Sequence, residues 1–291
     1  MSNISINTNL KVAAGPGAGK TTFLINHIKK VVRQSPELKR SRKIACITYT
    51  NAAADTILDR LDLSSDSVEV STIHSFLYTN VITPYWDLVP DELGIDIKNV
   101  DGHDEMPITG GLLYEWKRNT SQTYLDDDNK IIRALNNLTW QFNERDELVL
   151  EPLKTYLGNI GKYWIRKESY FEYKKLYWGK GQLAHEDVLY LAYKLLDENP
   201  SILRFLKAKF PFIFIDEFQD TSPLQYKILM KLSSFGIKTG VTGDWGQTIY
   251  KFQGANPELF QSISMRDMQE ITLESNYRSS RDIVAVLNKL R

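Results

Sequence analysis

The chain has one cysteine, no long apolar run and no surplus of charge of either sign. Cys46 alone cannot form an intrachain disulfide, which fits a reducing compartment and a cytoplasmic location. No apolar stretch approaches the roughly 20 residues of a membrane-crossing helix, so no membrane partner is expected. The opening MSNISINTNLK lacks a charged segment followed by an apolar one, and no secretory leader is expected. Lys plus Arg number 36 and Asp plus Glu 36, a formal net charge of +0. That balance excludes a global field drawing the chain to nucleic acid; any such site must be a local basic or aromatic patch. There is no internal repeat and no low-complexity tract. What is present is ordinary for a globular protein: 291 residues, 42% hydrophobic and 25% charged, enough for a large core in one or two domains.

Strand and helix patterns alternate at both ends of the chain. Leu10 to Ala14 reads as a strand, followed by a glycine-rich loop from Ala14 to Gly19. From Lys20, Phe23, Leu24, His27, Ile28, Val31 and Val32 recur at helical spacing. Lys43 to Thr48 and Val68 to Thr72 read as further strands. Asn51 is expected to cap a helix carrying Ala54, Ile57, Leu58 and Leu61 on one face. Residues 84–182 lose the alternation, with acids crowding Asp91 to Glu105 and Trp- and Tyr-rich helical segments after them. This stretch is expected to be an inserted, mainly helical domain. Alternation resumes near Ala184: a helix to about Leu196, a strand at Phe212 to Ile215, and a helix capped by Thr221 or Ser222 and stopped by Gly236. Strands at Ile237 to Thr242 and Ile271 to Leu273 follow, then a last helix near Asp282 to Leu290. The expected class is α/β: a parallel sheet covered on both faces in segments 1–83 and 183–291, with the helical insertion at 84–182 between them.

Three clusters carry chemistry. Ala14-Gly15-Pro16-Gly17-Ala18-Gly19-Lys20-Thr21 fits a phosphate loop between strand and helix. Its glycines let backbone N–H groups turn toward phosphate oxygens, and the helix N-terminus adds partial positive charge. Lys20 would reach the β- and γ-phosphates and Thr21 would ligate Mg²⁺. A glycine-rich turn capping a helix would look the same. Asp216 and Glu217 end an apolar strand, with Gln219 and Asp220 expected beyond them at the rim. Asp216 suits a magnesium ion and Glu217 the attacking water. A pair of acids stabilised by a helix dipole is the plain alternative. Gln247 could sense a γ-phosphate, and Tyr250 and Phe252 could stack on bases or fill a core. Arg278 could stabilise transition-state charge, or simply be a solvated arginine at a helix start.

Together these segments resemble the UvrD/Rep/PcrA family of superfamily 1 DNA helicases. The phosphate loop resembles the family's first motif, Thr48 to Ala54 its motif Ia, and Ser71 to Phe76 its motif Ib. Asp216-Glu217-Phe218-Gln219-Asp220 resembles motif II, Gly243 to Ala255 motif III, and Asn276-Tyr277-Arg278-Ser279 motif IV. Six motifs stand in family order, covering nearly all the chain outside the insertion. There are departures: no glutamine precedes Ala14, Phe252-Gln253 stand where motif III has Trp-Arg, and Ala52 replaces the motif Ia lysine.

The resemblance implies a RecA-like fold, ATP and Mg²⁺ as cofactors, and 3′ to 5′ translocation on DNA. It places ATP against Ala14, Gly15, Pro16, Gly17, Ala18, Gly19, Lys20, Thr21 and Thr22, with Tyr277 on the adenine. Thr21 and Asp216 would hold the metal, and Asp216, Glu217, Gln247 and Arg278 would serve hydrolysis. Thr50, Asn51, Thr72, His74, Tyr250 and Phe252 would face single-stranded or partially duplex DNA. The insertion would be the family's domain 1B, flanking the DNA path. Its segment Lys162 to Lys180 interleaves aromatic and basic residues, as either a DNA contact or a helical core with a solvated face. The family's second RecA-like domain is not in the chain, so an N-terminal half with weak or no activity alone is expected. The alternative is a helicase-derived ATP- and DNA-sensing subunit of a larger complex, such as an anti-phage defence assembly, with a partner subunit supplying that domain. A small-molecule phosphotransferase is a weaker third reading.

Overall fold

The computed structural model describes residues 4–38, 41–100, 102–103, 107–153, 164–244, 246, 254–273 and 275. In chain order the elements are β1 (Asn9–Ala14), α1 (Lys20–Gln34), β2 (Ile44–Thr48), α2 (Asn51–Leu61), β3 (Val68–Thr72) and α3 (Ile73–Leu77). A π-turn at Tyr78–Ile82 and short 3₁₀ turns lead to α4 (Gly110–Asn119), α5 (Asp128–Asn136), β4 (Leu138–Phe142) and β5 (Leu148–Pro152). Then come α6 (Glu168–Trp178), α7 (His185–Glu198), α8 (Pro200–Lys209), β6 (Phe212–Ile215), α9 (Pro223–Ser234), β7 (Lys238–Gly243), α10 (Glu258–Ser262) and β8 (Met268–Leu273). Contacts divide them into two units, Leu77–Glu198 and the remainder.

The first unit is built on a six-stranded sheet of order β3-β2-β6-β7-β1-β8, every neighbouring pair parallel. This is the expected α/β sheet. Strands β2 and β6 are buried at every residue, which explains their unbroken apolar runs: both faces are covered, so no polar alternation survives. One face meets Leu24, Ile25, Ile28 and Val31 of α1 and Ile57 and Leu61 of α2, packed with Ile44, Cys46, Phe212 and Phe214. Each such side chain contributes about 1.5–3 kcal/mol by leaving water. Cys46 is free and buried; burial, then the charge of Asp216, pushes its thiol up, so it stays neutral. His27 of α1 meets the Phe214 ring edge-on at 5.4 Å, and burial, with help from Lys30, pulls it down to about 4.

Several local expectations shift. Thr50, not Asn51, caps α2: its backbone is extended and its hydroxyl accepts the Ala53 N–H, while Thr48 Oγ1 donates to the Thr50 carbonyl at 2.9 Å. Leu58 is exposed rather than on the buried face. Between the two candidate caps of α9, Ser222 makes a full capping box with Gln225. Strand β8 begins at Met268, three residues before the expected start, and the expected last helix lies outside the described residues.

The second unit is helical with one addition, the antiparallel hairpin β4–β5. Asn143 Oδ1 accepts the N–H groups of Arg145 and Glu147 at 2.9 Å each, closing the turn without a glycine. Trp140 of β4 stacks on Tyr190 of α7 at 3.9 Å, and its backbone N–H donates to Glu186. In the basic-aromatic segment, Tyr170, Tyr173, Tyr177 and Trp178 are buried and Trp164 is exposed; Lys162 and Tyr163 lie outside the described residues. Lys174 is itself buried against Asp187, Nζ to Oδ1 2.8 Å. The aromatic residues of this segment are therefore mostly core, while Arg166, Lys167 and Lys180 are exposed.

Gly240 of β7 lies beside Phe214 of β6, and an added Cβ would fall 2.5 Å from Phe214 Cδ1. Gly240→Ala should lower stability by about 1–3 kcal/mol through overpacking. Urea unfolding measures this; an unchanged midpoint would show that the ring can step aside.

Candidate nucleotide site

The site forms at the carboxyl ends of β1, β6 and β7, neighbours in the sheet though far apart in the chain. After β1 the backbone turns through Gly17 (φ 70°) and Gly19 (φ 83°). Nothing lies within 4 Å of where a Gly19 Cβ would stand, so that glycine serves the left-handed backbone, not a lack of room. Helix α1 then starts with no side-chain cap and no acid in its first turn. Helices α2, α4, α5 and α9 are capped by Thr50, Thr109, Asp127 and Ser222. The first-turn N–H groups of α1 thus face an approaching anion without competition from a protein oxygen.

Asp216 follows β6 and is 6% exposed. Its N–H donates to the Ile47 carbonyl, extending the sheet by one bond. Oδ2 accepts the Thr21 hydroxyl at 3.2 Å; Oδ1 accepts the Thr242 hydroxyl at 2.5 Å and the Glu217 N–H at 3.1 Å. Burial first, then the Glu217 carboxylate, raise its pKa above the usual carboxylate range, against the pull of those three hydrogen bonds. The Thr21 hydroxyl and the Asp216 carboxylate are adjacent hard oxygen donors, the kind of group magnesium takes directly or through water. These two residues fit that ion.

Glu217 sits in left-handed backbone at φ 53°, a conformation costing a non-glycine residue on the order of 1 kcal/mol. Strain of this kind gathers at functional turns. Its Oε2 lies 3.6 Å from Lys20 Nζ, and the lysine is almost fully buried. A polyphosphate would compete with Glu217 for the same ammonium. Gln219 and Asp220, expected at the rim, are buried; the amide of Gln219 reaches Glu217, Asp220 and the Asp244 backbone.

The structure thus brings Lys20, Thr21, Asp216 and Glu217 together, with Ala14, Gly15, Pro16, Gly17, Ala18, Gly19 and Thr22 on the same strand–loop–helix. Thr242 carried no expected role; a hydroxyl residue on the last turn of a buried strand was its one signal. Thr50 and Asn51 follow the carboxyl end of β2, Thr72 is the last residue of β3 and His74 follows it; the two strands pair Thr48 with Thr72. The Thr72 hydroxyl donates to Ser75 Oγ and accepts the Ser75 N–H, and Asn51 is exposed. Gln247, Tyr250, Phe252, Tyr277 and Arg278 lie outside the described residues.

Parallel sheet, phosphate-loop turn and carboxylate pair define a RecA-like P-loop NTPase domain. More narrowly, the chain belongs to the UvrD/REP helicase N-terminal domain family, whose model matches residues 2–267. It is 27% identical over 291 residues to the ATP-dependent DNA helicase PcrA of Bacillus subtilis (strain 168), covering 97% of this chain and 37% of that one. It is also 27% identical over 328 residues to the Gabija protein GajB of Bacillus cereus (strain HuB5-5), covering 96% and 46%. A solved structure, the Pif1 helicase from Candida albicans, matches with a TM-score of 0.44 at 14% identity, covering 98% and 40%. The chain therefore spans less than half the length of the relatives it matches. Among the described residues no helix is long and apolar enough to cross a membrane.

The raised pKa of Asp216 has a stability consequence. A carboxyl whose folded pKa exceeds its unfolded value contributes most below the unfolded value, and that contribution is lost as pH rises through the folded one. Asp216→Asn keeps the shape without the charge. The variant should match or exceed the parent in stability at pH 7, and the difference should shrink as pH falls toward about 4. Unfolding midpoints at the two pH values test this; a gap that widens on acidification would show that the hydrogen bonds outweigh burial.

Proposed function

We propose that the chain is the ATP- and DNA-binding N-terminal half of a UvrD-like helicase that translocates 3′ to 5′ on single-stranded or partially duplex DNA. One observation carries the reading: the phosphate-loop Lys20 and Thr21 meet the strand-end Asp216 and Glu217 at hydrogen-bonding and ion-pairing distance. Loop glycines and helix N-terminus would cradle the polyphosphate, and Lys20 would bridge its β- and γ-groups. Thr21 and Asp216 would hold Mg²⁺, which neutralises developing phosphate charge. Glu217 would take the proton of the attacking water as its oxygen bonds the γ-phosphorus and the bridging oxygen departs with ADP. Tyr277 would stack on the adenine, with Gln247 and Arg278 at the γ-phosphate. In this reading residues 1–83 and 183–291 form the ATP-binding domain 1A and residues 84–182 domain 1B, in a cytoplasmic protein.

Thr50, Asn51, Thr72, His74, Tyr250 and Phe252 would make the DNA path. Base–aromatic stacking contributes about 1–3 kcal/mol per base and tolerates any sequence, as a motor on arbitrary DNA requires. Stepping needs a second RecA-like domain closing on the nucleotide. The equal identity to a relative not named as a helicase supports a second reading, a helicase-derived ATP- and DNA-sensing subunit of a larger complex such as an anti-phage defence assembly. A stable complex with native partners and restored ATPase would favour it.

Lys20→Ala removes a buried charge aimed at the phosphates. Charged hydrogen bonds contribute about 1.5–3 kcal/mol, so affinity for Mg-ATP should fall roughly 10- to 100-fold. Titration with a fluorescent ATP analogue measures it. Unchanged affinity in a folded variant would remove the site assignment.

A further inference from the structure

Gln219 is 2% exposed and occupies the short turn Phe218–Asp220 directly after Glu217. Both ends of its amide are engaged. Nε2 donates to Glu217 Oε2 at 2.7 Å and to Asp220 Oδ2 at 3.3 Å, and Oε1 accepts the Asp244 N–H at 2.9 Å. The partners dictate this orientation: a backbone N–H can only donate and an ionised carboxylate can only accept, so a flipped amide would lose all three contacts. The far contact is equally constrained. A Cβ on Gly243 would stand 2.9 Å from Gln219 Oε1 and 3.1 Å from the Phe260 ring. A side chain at 243 would therefore press on the amide where it lies against the end of β7. Beyond that point Asp244 Oδ1 accepts the Gly246 N–H at 2.9 Å, starting the segment that carries Gln247, Tyr250 and Phe252.

Glu217 Oε2 thus receives two interactions, the Gln219 amide at 2.7 Å and the Lys20 ammonium at 3.6 Å. An oxygen already accepting donors is the weaker proton acceptor of the pair, so this grip leaves Oε1 as the basic atom.

We propose that Gln219 is a positioning residue: it holds the Glu217 carboxylate by Oε2 and ties it, through the Asp244 N–H, to the end of β7, which fixes where the base stands. The inference rests on the reading of Glu217 as the base that receives the water proton.

Three variants of the intact protein test it, assayed with saturating single-stranded DNA. Gln219→Glu keeps an acceptor for the Asp244 N–H but cannot donate to an ionised Glu217. Gln219→Leu loses all three contacts. Gly243→Ala crowds Oε1 while leaving Glu217 and Gln219 unchanged in sequence. All three should lower kcat at least about tenfold, with KM for ATP and fluorescent-nucleotide affinity within about threefold of the parent. A residue that merely anchors β7 predicts otherwise: Gln219→Glu at parental kcat, and that result overturns the proposal. If Gln219→Glu does not fold, Gly243→Ala decides, and parental kcat there overturns it too. A parent protein that binds nucleotide but shows no DNA-stimulated hydrolysis even when a second RecA-like domain is supplied would sink the reading of Glu217 and this inference with it. Parental hydrolysis with indifferent variants sinks the inference alone.

Discussion

One buried carboxylate organises the site. Asp216 accepts a hydroxyl from the helix after β1, a hydroxyl from the last turn of β7 and the N–H of its own neighbour, while its own N–H extends the pairing with β2. Four segments meet there. The arrangement carries a cost: burial and the adjacent Glu217 both disfavour the charge, and three hydrogen bonds only partly offset them. A protein selecting for stability alone would place an apolar residue or an amide at this position. A protein that must present oxygen donors to a hard cation needs the charge, and the surrounding donors hold it at a fixed place until a stronger partner arrives.

Around that point the site is assembled from backbone as much as from side chains. Helix α1 begins without a capping side chain, so its first-turn amide groups are left open to an anion rather than being closed off by a side chain. Glu217 is turned by a left-handed residue, and its carboxylate lies between Lys20 and Gln219. Small residues are placed where bulk would break the construction: Gly240 under Phe214 and Gly243 under Gln219. Gly240 answers to a ring on the adjacent strand, and Gly243 to the Gln219 amide in the turn after β6 and to the Phe260 ring. The energetic logic is the same in both cases, since close packing leaves no slack for a methyl group.

The inserted unit follows a different rule. Its aromatic residues hold it together: Tyr190 stacks on Trp140 and Trp178, Phe171 meets both tryptophans edge-on, and Trp116 donates to the Ser169 carbonyl at 2.8 Å. The interleaved lysines are partly recruited inward, as Lys174 shows with Asp187. In a segment that reads as basic and aromatic, the aromatic residues are thus mostly interior, while Trp164, Arg166, Lys167 and Lys180 are exposed.

Local chemistry was legible from the letters. The strand–loop–helix around Lys20 follows from its glycines and from the 3.6-residue period of α1. The continuous apolar runs of β2 and β6 announced strands covered on both faces. What was misread were choices between near neighbours. Thr50 wins the cap over Asn51 because Thr48 holds its carbonyl in place. The β4–β5 hairpin was missed because its turn is closed by Asn143 without glycine or proline. The order of strands in the sheet was decided only by the tertiary structure. It seats β6 next to β7 and, beyond that, β1, so Asp216 meets Thr21 across 195 residues of chain and Gln219 meets Asp244 across 25. The sequence by itself determined which groups could do phosphate chemistry. Which of them touch depended on parallel strands packing side by side, a long-range outcome of burying both faces that no local pattern encodes.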